Sequence, residues 1–506
     1  MRYEPTNESL RQHEVPSWFH DAKFGLMVHW GPCSIPAWGE RSGVIQDIWS
    51  EKGPRYLFKH NPYAEWYENT IRIPGSAAQR HHIDAYGRDF PYDNFVRQFG
   101  ELSARFDPSS WADLFASAGA RYVVLITKHH DGYALWPSAQ PNPRGELYAS
   151  QRDIVGDVTE AVRARGLTMG LYYSGGYDKT FNPTCIRSLR TAIAAVPQDE
   201  AYARYADAHV AELIERYRPS VLWNDIAYPA RSDLKRIFAD YYNVVPEGIV
   251  NDRWTQFGLR GGVRRALVMA AASAIDHGWP LLPKRWRRLQ MQARFHHDFS
   301  TPEYDARDSA TEAKWETVRG IGTSFGNNRT ERDEDLLSAR EIVHMIADVA
   351  SKNGNLLLGI APDAQGVFPE QQTSRILEAG RWLAAKGAAI YGTRPWTRAE
   401  GSTADGLPVR YTATGDALYA IVLGEPQGAE IAIEGLVVGE GAEVCMLGGD
   451  ASLSWTQHGD RLAVTLPERR PHHALALKIT PKPSRRSVMS ERSGSGRARG
   501  AYASEA

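Results

Sequence analysis

The string "SVLWNDIAYP" ends the apolar run Val221 to Trp223 on Asn224 and Asp225, and the chain turns soon after at Pro229. A carboxylate that closes a buried-looking run stands at the edge of a pocket, where it can attack or accept a proton. A second concentration is "TKHHDGYALW", with His129, His130 and Asp131 following another apolar run, and His29 closes a third in "FGLMVHWGP". Imidazoles gathered with a carboxylate suit zinc or manganese. The same rings, neutral and each fixed by a partner, equally suit hydrogen bonds to sugar hydroxyls. As satisfied interior histidines they would do neither. Acids recur beside aromatics: Glu65 in "YAEWYEN", Asp252 in "VNDRW", Glu303 in "STPEYDA". Glycoside hydrolysis asks for two carboxyl groups, one ionised and one protonated, on opposite sides of one bond. With 60 acidic residues in the chain, most of them solvated or salt-bridged, composition does not select the pair. The indoles Trp30, Trp66, Trp136 and Trp223 near these polar exits suit the apolar faces of a sugar, which a metal site alone leaves unexplained.

These side chains need elements that bring them to one place. The polar exits terminate short apolar runs, "FGLMVHWGP", "RYVVLITKHHDG", "LTMGLYYSGG", "SVLWNDIAYP", "EGIVNDRW" and "NLLLGIAPDAQG", separated by helical patterns. "SSWADLFASAGA" reads as a helix opened by a serine cap and ended at Gly119. "DIVGDVTEAVRARG" sets Ile154, Val158, Ala161 and Val162 on one face and stops at Gly166. Parallel strands alternating with helices, each strand ending in reactive groups, predict a (β/α)8-like barrel, which gathers its strand C-termini at one mouth. A doubly wound sheet would require a glycine-rich phosphate turn, and no GxGxxG occurs. Beyond Trp396 the texture changes to short alternating runs such as "ALYAIVL", "RLAVTL" and "HALALKI", which predict an antiparallel β-sandwich. The expected organisation is a barrel over 1–396, a sandwich over 397–480 and a disordered Ser/Arg/Gly-rich tail over 481–506. Within the barrel, 255–294 fits no repeat. It carries eight Lys or Arg against the single acid Asp276, with a helix expected over 265–275.

At 506 residues the chain exceeds one compact core. Its 59 basic and 60 acidic residues balance to a net charge of -1, so no global field favours nucleic acid or an anionic membrane. The longest mainly apolar run, "ALVMAAASAI", is far short of a membrane span. Cys33, Cys185 and Cys445 are odd in number and far apart, against a disulfide framework. The first residues lack the basic-then-apolar layout of a signal peptide, so the expected location is cytoplasmic. Nucleic acid and membrane are not expected as partners, and assembly as a homo-oligomer is compatible with this pattern.

The strings "FGLMVHWGP", "AEWY", "YVVLITKHHDGYALWPS", "LYYS", "LWND", "VNDRW", "TPEY", "KWETVRGIGTSFG" and "AAIYGTRPW" follow one another in this chain. In kind and order they resemble glycoside hydrolase family 29, the retaining α-L-fucosidases, over 18–396. The resemblance implies a barrel followed by a β-sandwich, and cofactor-free, metal-free hydrolysis of terminal α-L-fucosyl linkages of a glycan. It assigns Asp225 as the nucleophile that forms a covalent fucosyl-enzyme and Glu303 as the acid/base, with Glu65 and Glu316 as competitors for that second role. It places His29, Glu65, Trp66, His129, His130, Tyr172, Trp223 and Arg253 around fucose, and Phe325 against the sugar's methyl group. Imidazole and guanidinium groups match hydroxyls, and an aromatic ring matches the C6 methyl. Arg253 would also hold Asp225 ionised if their two strand ends adjoin. The chain departs from the family pattern at Gly359, Asn327 and Ala388, where Asn, Tyr and Glu are usual, and in the insertion, which bears on the pocket rim. Two other classes compete: a metal-dependent amidohydrolase-like barrel using His29, His129, His130 and Asp131, and a non-catalytic fucose-binding protein.

Overall fold

The computed structural model describes residues 2–258, 261–287, 295–449, 452–467 and 473–483. Two compact units divide the chain, Met1–Ala384 and Ala385–Ala506.

Among the described residues the first unit holds a seven-stranded parallel sheet. Its strands are β1 (Phe24–Val28), β2 (Tyr122–Lys128), β3 (Thr168–Ser174), β4 (Val221–Asp225), β5 (Ile249–Val250), β6 (Trp315–Gly320) and β7 (Gly354–Ile360). The order β5-β4-β3-β2-β1-β7-β6 puts nearly every strand beside its neighbour in sequence. Such strands are covered on both faces, which is why they read as continuous apolar runs with no alternation. The connecting helices bury one stripe each. The helix Ile154–Ala164 is capped by Asp153, which accepts from Gly156 N at 2.9 Å, and buries Ile154, Val155, Val158 and Val162. The helix expected to open on a serine is instead Pro108–Ser117, capped by Asp107. Asp107 accepts from Ser109 N and is followed by proline at the first helical position, a stronger start than serine alone.

Strand β5 is two residues long because the next rung is made by a side chain. Asn251 Oδ1 accepts from Asn224 N at 3.0 Å and its Nδ2 donates to Asn224 O at 2.9 Å, taking the place of a backbone pair. The edges β5 and β6 are linked by residues 298–303. Asn251 bridges Phe299, Ser300 bridges Trp315 and Glu303 bridges Val318, all parallel. Asp298 N donates to Val250 O at 2.9 Å, and Glu316 N to Ser300 O at 2.8 Å. A single buried cluster takes Met27, Tyr122, Tyr172, Trp223, Ile249, Phe299, Val318 and Leu357, drawing on every strand and on the linking segment. Gly25 leaves the space that the Tyr122 ring fills in this interior.

In the second unit β8 (Arg394–Ser402), β9 (Pro408–Ala413), β10 (Leu418–Val422), β12 (Glu443–Met446) and β15 (Leu475–Thr480) form an antiparallel sheet, and β11 (Glu430–Ile433), β13 (Trp455–His458) and β14 (Arg461–Thr465) form another. Val409, Val422, Val444 and Leu477 of the first share one core with Ile431, Ile433, Leu462 and Val464 of the second. The boundary expected at 396/397 falls inside β8, because Trp396 belongs to this core. Of the expected tail, 484–506 lies outside the described residues.

The insertion forms the helix Gly262–Gly278, longer than expected at both ends, opened by Gly261 at φ +89° and followed by a turn at Trp279–Leu281. Its residues 259–260 and 288–294 lie outside the described ones. Among the described residues no helix is long and apolar enough to cross a membrane.

Candidate active site

Asp225 is the last residue of β4, and the parallel register sets Tyr172 beside Trp223 and Ser174 beside Asp225. The backbone turns sharply after it: Ile226 and Ala227 take φ of +56° and +81°, conformations costly for residues with a Cβ. The turn is held by Asn224, whose Nδ2 donates to Ala227 O and to Arg253 O, both at 2.9 Å. It packs against Gly175 and Gly176, where a Cβ would collide with Asn224 and with the Ile226 carbonyl. Strain is thus held in place at the point where the carboxylate leaves the sheet.

Arg253 follows β5 and joins two acids. Its Nη1 lies 2.9 Å from Asp225 Oδ1 and 2.9 Å from Glu303 Oε2. Nε and Nη2 donate to Thr301 Oγ1 at 3.0 Å and Thr301 O at 3.1 Å, and the guanidinium lies 4.8 Å from the centre of the Trp223 ring. Burial pulls the Arg253 pKa down, but Glu303, Asp225 and Asp252 outweigh it and leave the group more firmly protonated than usual. Each acid also accepts from a phenol: Tyr172 OH to Asp225 Oδ2 at 2.8 Å, and Tyr63 OH to Glu303 Oε1 at 2.7 Å.

These groups open into a cavity of about 1020 Å³, also lined by His29, Glu65, Trp66, His129, His130 and Phe325. The structure therefore brings the residues that the resemblance sets around fucose to one place, whereas Trp30 and Trp136, expected to face a sugar, are buried away from this cavity, their indoles donating to Asp363 O at 2.7 Å and Glu212 Oε2 at 2.9 Å. The rings of His29 and His129 are 4.6 Å apart, those of His129 and His130 are 3.8 Å apart and stacked, and Trp66 meets His130 edge-on at 5.0 Å. Burial holds His29 down to about 3, and burial first, then neighbouring cations and imidazoles, hold His129 and His130 well below the usual range. All three are neutral near pH 7 and able to donate and accept. His130 Nδ1 is fixed by Ser174 Oγ at 2.7 Å. Burial pushes Glu65 up to about 7 against the opposing bonds from Gly326 N at 2.8 Å and Ser324 Oγ at 2.9 Å. Phe325 stands edge-on to Tyr63 at 5.6 Å, an apolar surface within a polar pocket. A Cβ at Gly359 would come 2.8 Å from that ring, so the small residue at this departure makes room for it. Asn327 is buried and Ala388 exposed.

Glu316 is not among the lining residues. It is wholly buried, accepts from Tyr122 OH at 2.5 Å and Trp223 Nε1 at 3.1 Å, and is pushed up by burial to about 7. With both oxygens occupied in the interior it supports Trp223 from beneath, outside the cavity that Glu303 and Glu65 line. Asp131 accepts from Tyr92 OH at 2.9 Å and Tyr133 N at 3.1 Å, turned to a bond network of its own. Among the described residues the group of three or more potential ligands whose atoms converge closely enough for a metal is His13, His296 and Asp298, not the pocket histidines. Tyr63, Asn224 and Asn251 escaped sequence reading. Tyr63 stands two residues before Glu65 and Asn224 directly before Asp225, so adjacency to a reactive acid was the available signal.

A parallel α/β sheet that carries a cation-bridged pair of acids at its strand ends, in a cavity of neutral imidazoles and aromatic rings, is the site of a glycoside hydrolase. The comparisons with known proteins narrow this. A family model described as alpha-L-fucosidase matches residues 1–388, and one described as alpha-L-fucosidase C-terminal domain matches 405–480. The tissue alpha-L-fucosidase of Bos taurus is 31% identical over 505 residues, spanning 95% of this chain and 91% of that one. The alpha-L-fucosidase of Dictyostelium discoideum is 30% identical over 462 residues, 88% and 86% of the two chains. The crystal structure of Thermotoga maritima alpha-fucosidase in complex with a mechanism-based inhibitor superposes with a TM-score of 0.79 at 38% identity, covering 95% of this chain and 100% of that one. The chain belongs to the alpha-L-fucosidase family.

Proposed function

We propose that this protein is a retaining exo-α-L-fucosidase acting on terminal α-L-fucosyl groups of glycans. The observation that carries the reading is the pairing of Asp225 and Glu303 on one guanidinium nitrogen. Each oxygen is 2.9 Å from Arg253 Nη1, so the two are no more than twice that distance apart. Retaining enzymes hold their carboxyl groups about 5–5.5 Å apart, whereas inverting ones leave about 6.5–9.5 Å for a water. Asp225 attacks the anomeric carbon while Glu303 protonates the leaving oxygen. Glu303 then takes a proton from water as the oxygen of that water displaces Asp225. The neutral histidines and Glu65 bind the ring hydroxyls, and Phe325 meets the methyl group. The segment 298–303, bridged to both sheet edges, supports reading the sheet as a closed (β/α)8-like barrel with the site at its C-terminal mouth.

The test is a panel of aryl glycosides with proton NMR of the first-formed product. The α-L-fucoside should be cleaved with α-L-fucose appearing first. The α-L-galactoside, which adds a hydroxyl on C6 facing Phe325, should be slower by about 10- to 100-fold in kcat/KM. Release of β-L-fucose as the first product would overturn the mechanism, and equal cleavage of both sugars would overturn the assigned role of Phe325.

A further inference from the structure

We propose that the insertion docks this protein on an anionic lipid surface through the outward face of its helix.

The helix Gly262–Gly278 is fixed on one side. Its buried residues are Ala272 and Asp276, one turn apart, and the Asp276 carboxylate accepts from Leu189 N at 2.8 Å and Arg190 N at 3.0 Å. That contact sets which side faces away. At about 3.6 residues per turn, Val263, Leu267, Ala270 and Ala274 follow one another at i, i+4, i+7 and i+11 on the opposite side, and all four are exposed. A surface helix ordinarily turns such a stripe to the interior and its polar residues to water. Here the order is reversed, with Val263 77% and Leu267 66% exposed. The apolar surface continues past the helix, where Leu281 is 88% and Trp286 65% exposed. Of the ten exposed large apolar side chains among the described residues, six stand between Phe257 and Trp286, a concentration that marks an interaction surface.

Charge decides what this face meets. Arg264 and Arg265 open the helix, Lys284 and Arg285 follow the turn after it, and all four are exposed. The Arg285 guanidinium lies 5.8 Å from the centre of the Trp286 ring. Arg187 and Arg190, at the start of the helix that Asp276 caps, are exposed as well. Asp276, the one acid of the insertion, is buried and committed to those backbone amides. The net charge of -1 over the whole chain thus conceals a locally basic face.

A second copy of the chain is the competing occupant. A twofold axis sets a patch against itself. With the two helices parallel, Arg264 would approach Arg264; with them antiparallel, Arg264 and Arg265 would approach Lys284 and Arg285. Cation opposes cation in both arrangements. An anionic bilayer satisfies both features of the face, since the acyl boundary takes Val263, Leu267, Leu281 and Trp286 while the headgroups take the cations. Among the described residues no helix is long and apolar enough to cross a membrane, and lying in the headgroup layer requires no such span.

The experiment is sedimentation of the full chain with vesicles of pure phosphatidylcholine and of its equal mixture with phosphatidylglycerol. Partition onto the anionic vesicles should be about tenfold stronger or more, and should weaken as salt screens the headgroups. Leu267→Asp, which sets a charge in the apolar stripe, should reduce it about tenfold. Arg264→Gln combined with Arg265→Gln should reduce it about fivefold for each cation removed. Both variants alter exposed side chains outside the cavity, so melting temperature and the rate on a soluble aryl fucoside should stay at wild-type values. Equal partition onto neutral and anionic vesicles would overturn the proposal, as would binding that both variants retain. Concentration-dependent self-association abolished by Leu267→Asp, without vesicle binding, would overturn it in favour of a second copy. If Leu267→Asp does not fold, the paired arginine variant, which removes charge without disturbing packing, decides.

Discussion

At the scale of the residue, Asp225 and Glu303 make separable forecasts. Asp225→Gly removes the proposed nucleophile, so turnover should fall by about 10⁴-fold or more. Azide, small enough to enter the vacated space, should restore part of it as a fucosyl azide detectable by mass spectrometry. Near-normal turnover without azide would remove Asp225 from the nucleophile's place. Glu303→Ala deletes the proposed proton donor, a loss that should be felt most where the leaving group is poor. First-step rates on a fluoride or dinitrophenyl fucoside should survive far better than rates on a fucosyl disaccharide. Glu65 shares the pocket, but Gly326 N and Ser324 Oγ tie its Oε2 to the wall. If Glu65→Ala showed the leaving-group selectivity and Glu303→Ala did not, the two roles would be exchanged.

At the scale of the element, none of the insertion's described residues lines the cavity, and they act as a buttress behind its wall. Its helix packs beside the helix Leu189–Ala195, and Asp276 accepts from Leu189 N at 2.8 Å and Arg190 N at 3.0 Å, satisfying donors at that helix's start. Trp279 is buried edge-on to Trp49 at 5.3 Å, in the same cluster as Leu57 and Tyr63. It lies against Gly53, where a Cβ would come 2.6 Å from the indole. Trp49, Leu57 and Leu189 form part of the cavity wall, and the amide of Gln46, on the same helix as Trp49, donates to Glu303 O at 3.0 Å. Trp279→Ala removes the backing of this wall and should cost about 3–5 kcal/mol of stability by the cavity it leaves. In the surviving folded fraction, kcat/KM for a fucosyl disaccharide should fall further than for a small aryl fucoside. Equal losses on both substrates, measured at matched folded fraction, would mean that the insertion serves stability alone.

At the scale of the whole molecule, buried acids link stability to pH. Glu316, Glu331 and Glu65 are each pushed up to about 7, by burial above all. For an acid raised in the folded state, the stabilising contribution is complete below the unfolded value of about 4.3 and is lost as pH rises through the folded one. The buried histidines act in the opposite sense, but only below their unfolded value of about 6.5, and Lys179, lowered by burial to about 8, does so only above that pH, so between the two the acids dominate. Thermal stability should therefore decline from about pH 6.5 to 8. In Glu316→Gln, which stays neutral and is remote from the reacting atoms, the decline should be visibly shallower in a series of melting curves. Identical slopes for variant and wild type would show that Glu316 ionises freely in the fold. A chelator offers a second whole-molecule check. Activity should be indifferent to it, because the pocket histidines do not converge as ligands, whereas chelator-sensitive turnover restored by zinc or manganese would return the metal reading.

Local patterns were enough to establish the alternation of strands and helices, the all-β texture of the second unit and the reactive strand ends. Hydrophobic period and chain turns are short-range properties that each segment carries for itself. The order of strings from His29 to Phe325 was enough to mark the site residues as one set. What tertiary structure alone decided were the relations between segments distant in sequence. Asp225 and Glu303 acquire a common partner because Asn251 locks β5 to β4 by side chain and 298–303 returns from the insertion to bridge both edges. Tyr63 becomes the partner of Glu303 across 240 residues of chain. Glu316, a competitor for the acid/base role by its motif, proves to be interior, and the described residues of the basic insertion stand behind the cavity wall. Which group faces which, and how far each is from water, depends on packing summed over the whole interior, and no local stretch of sequence contains that sum.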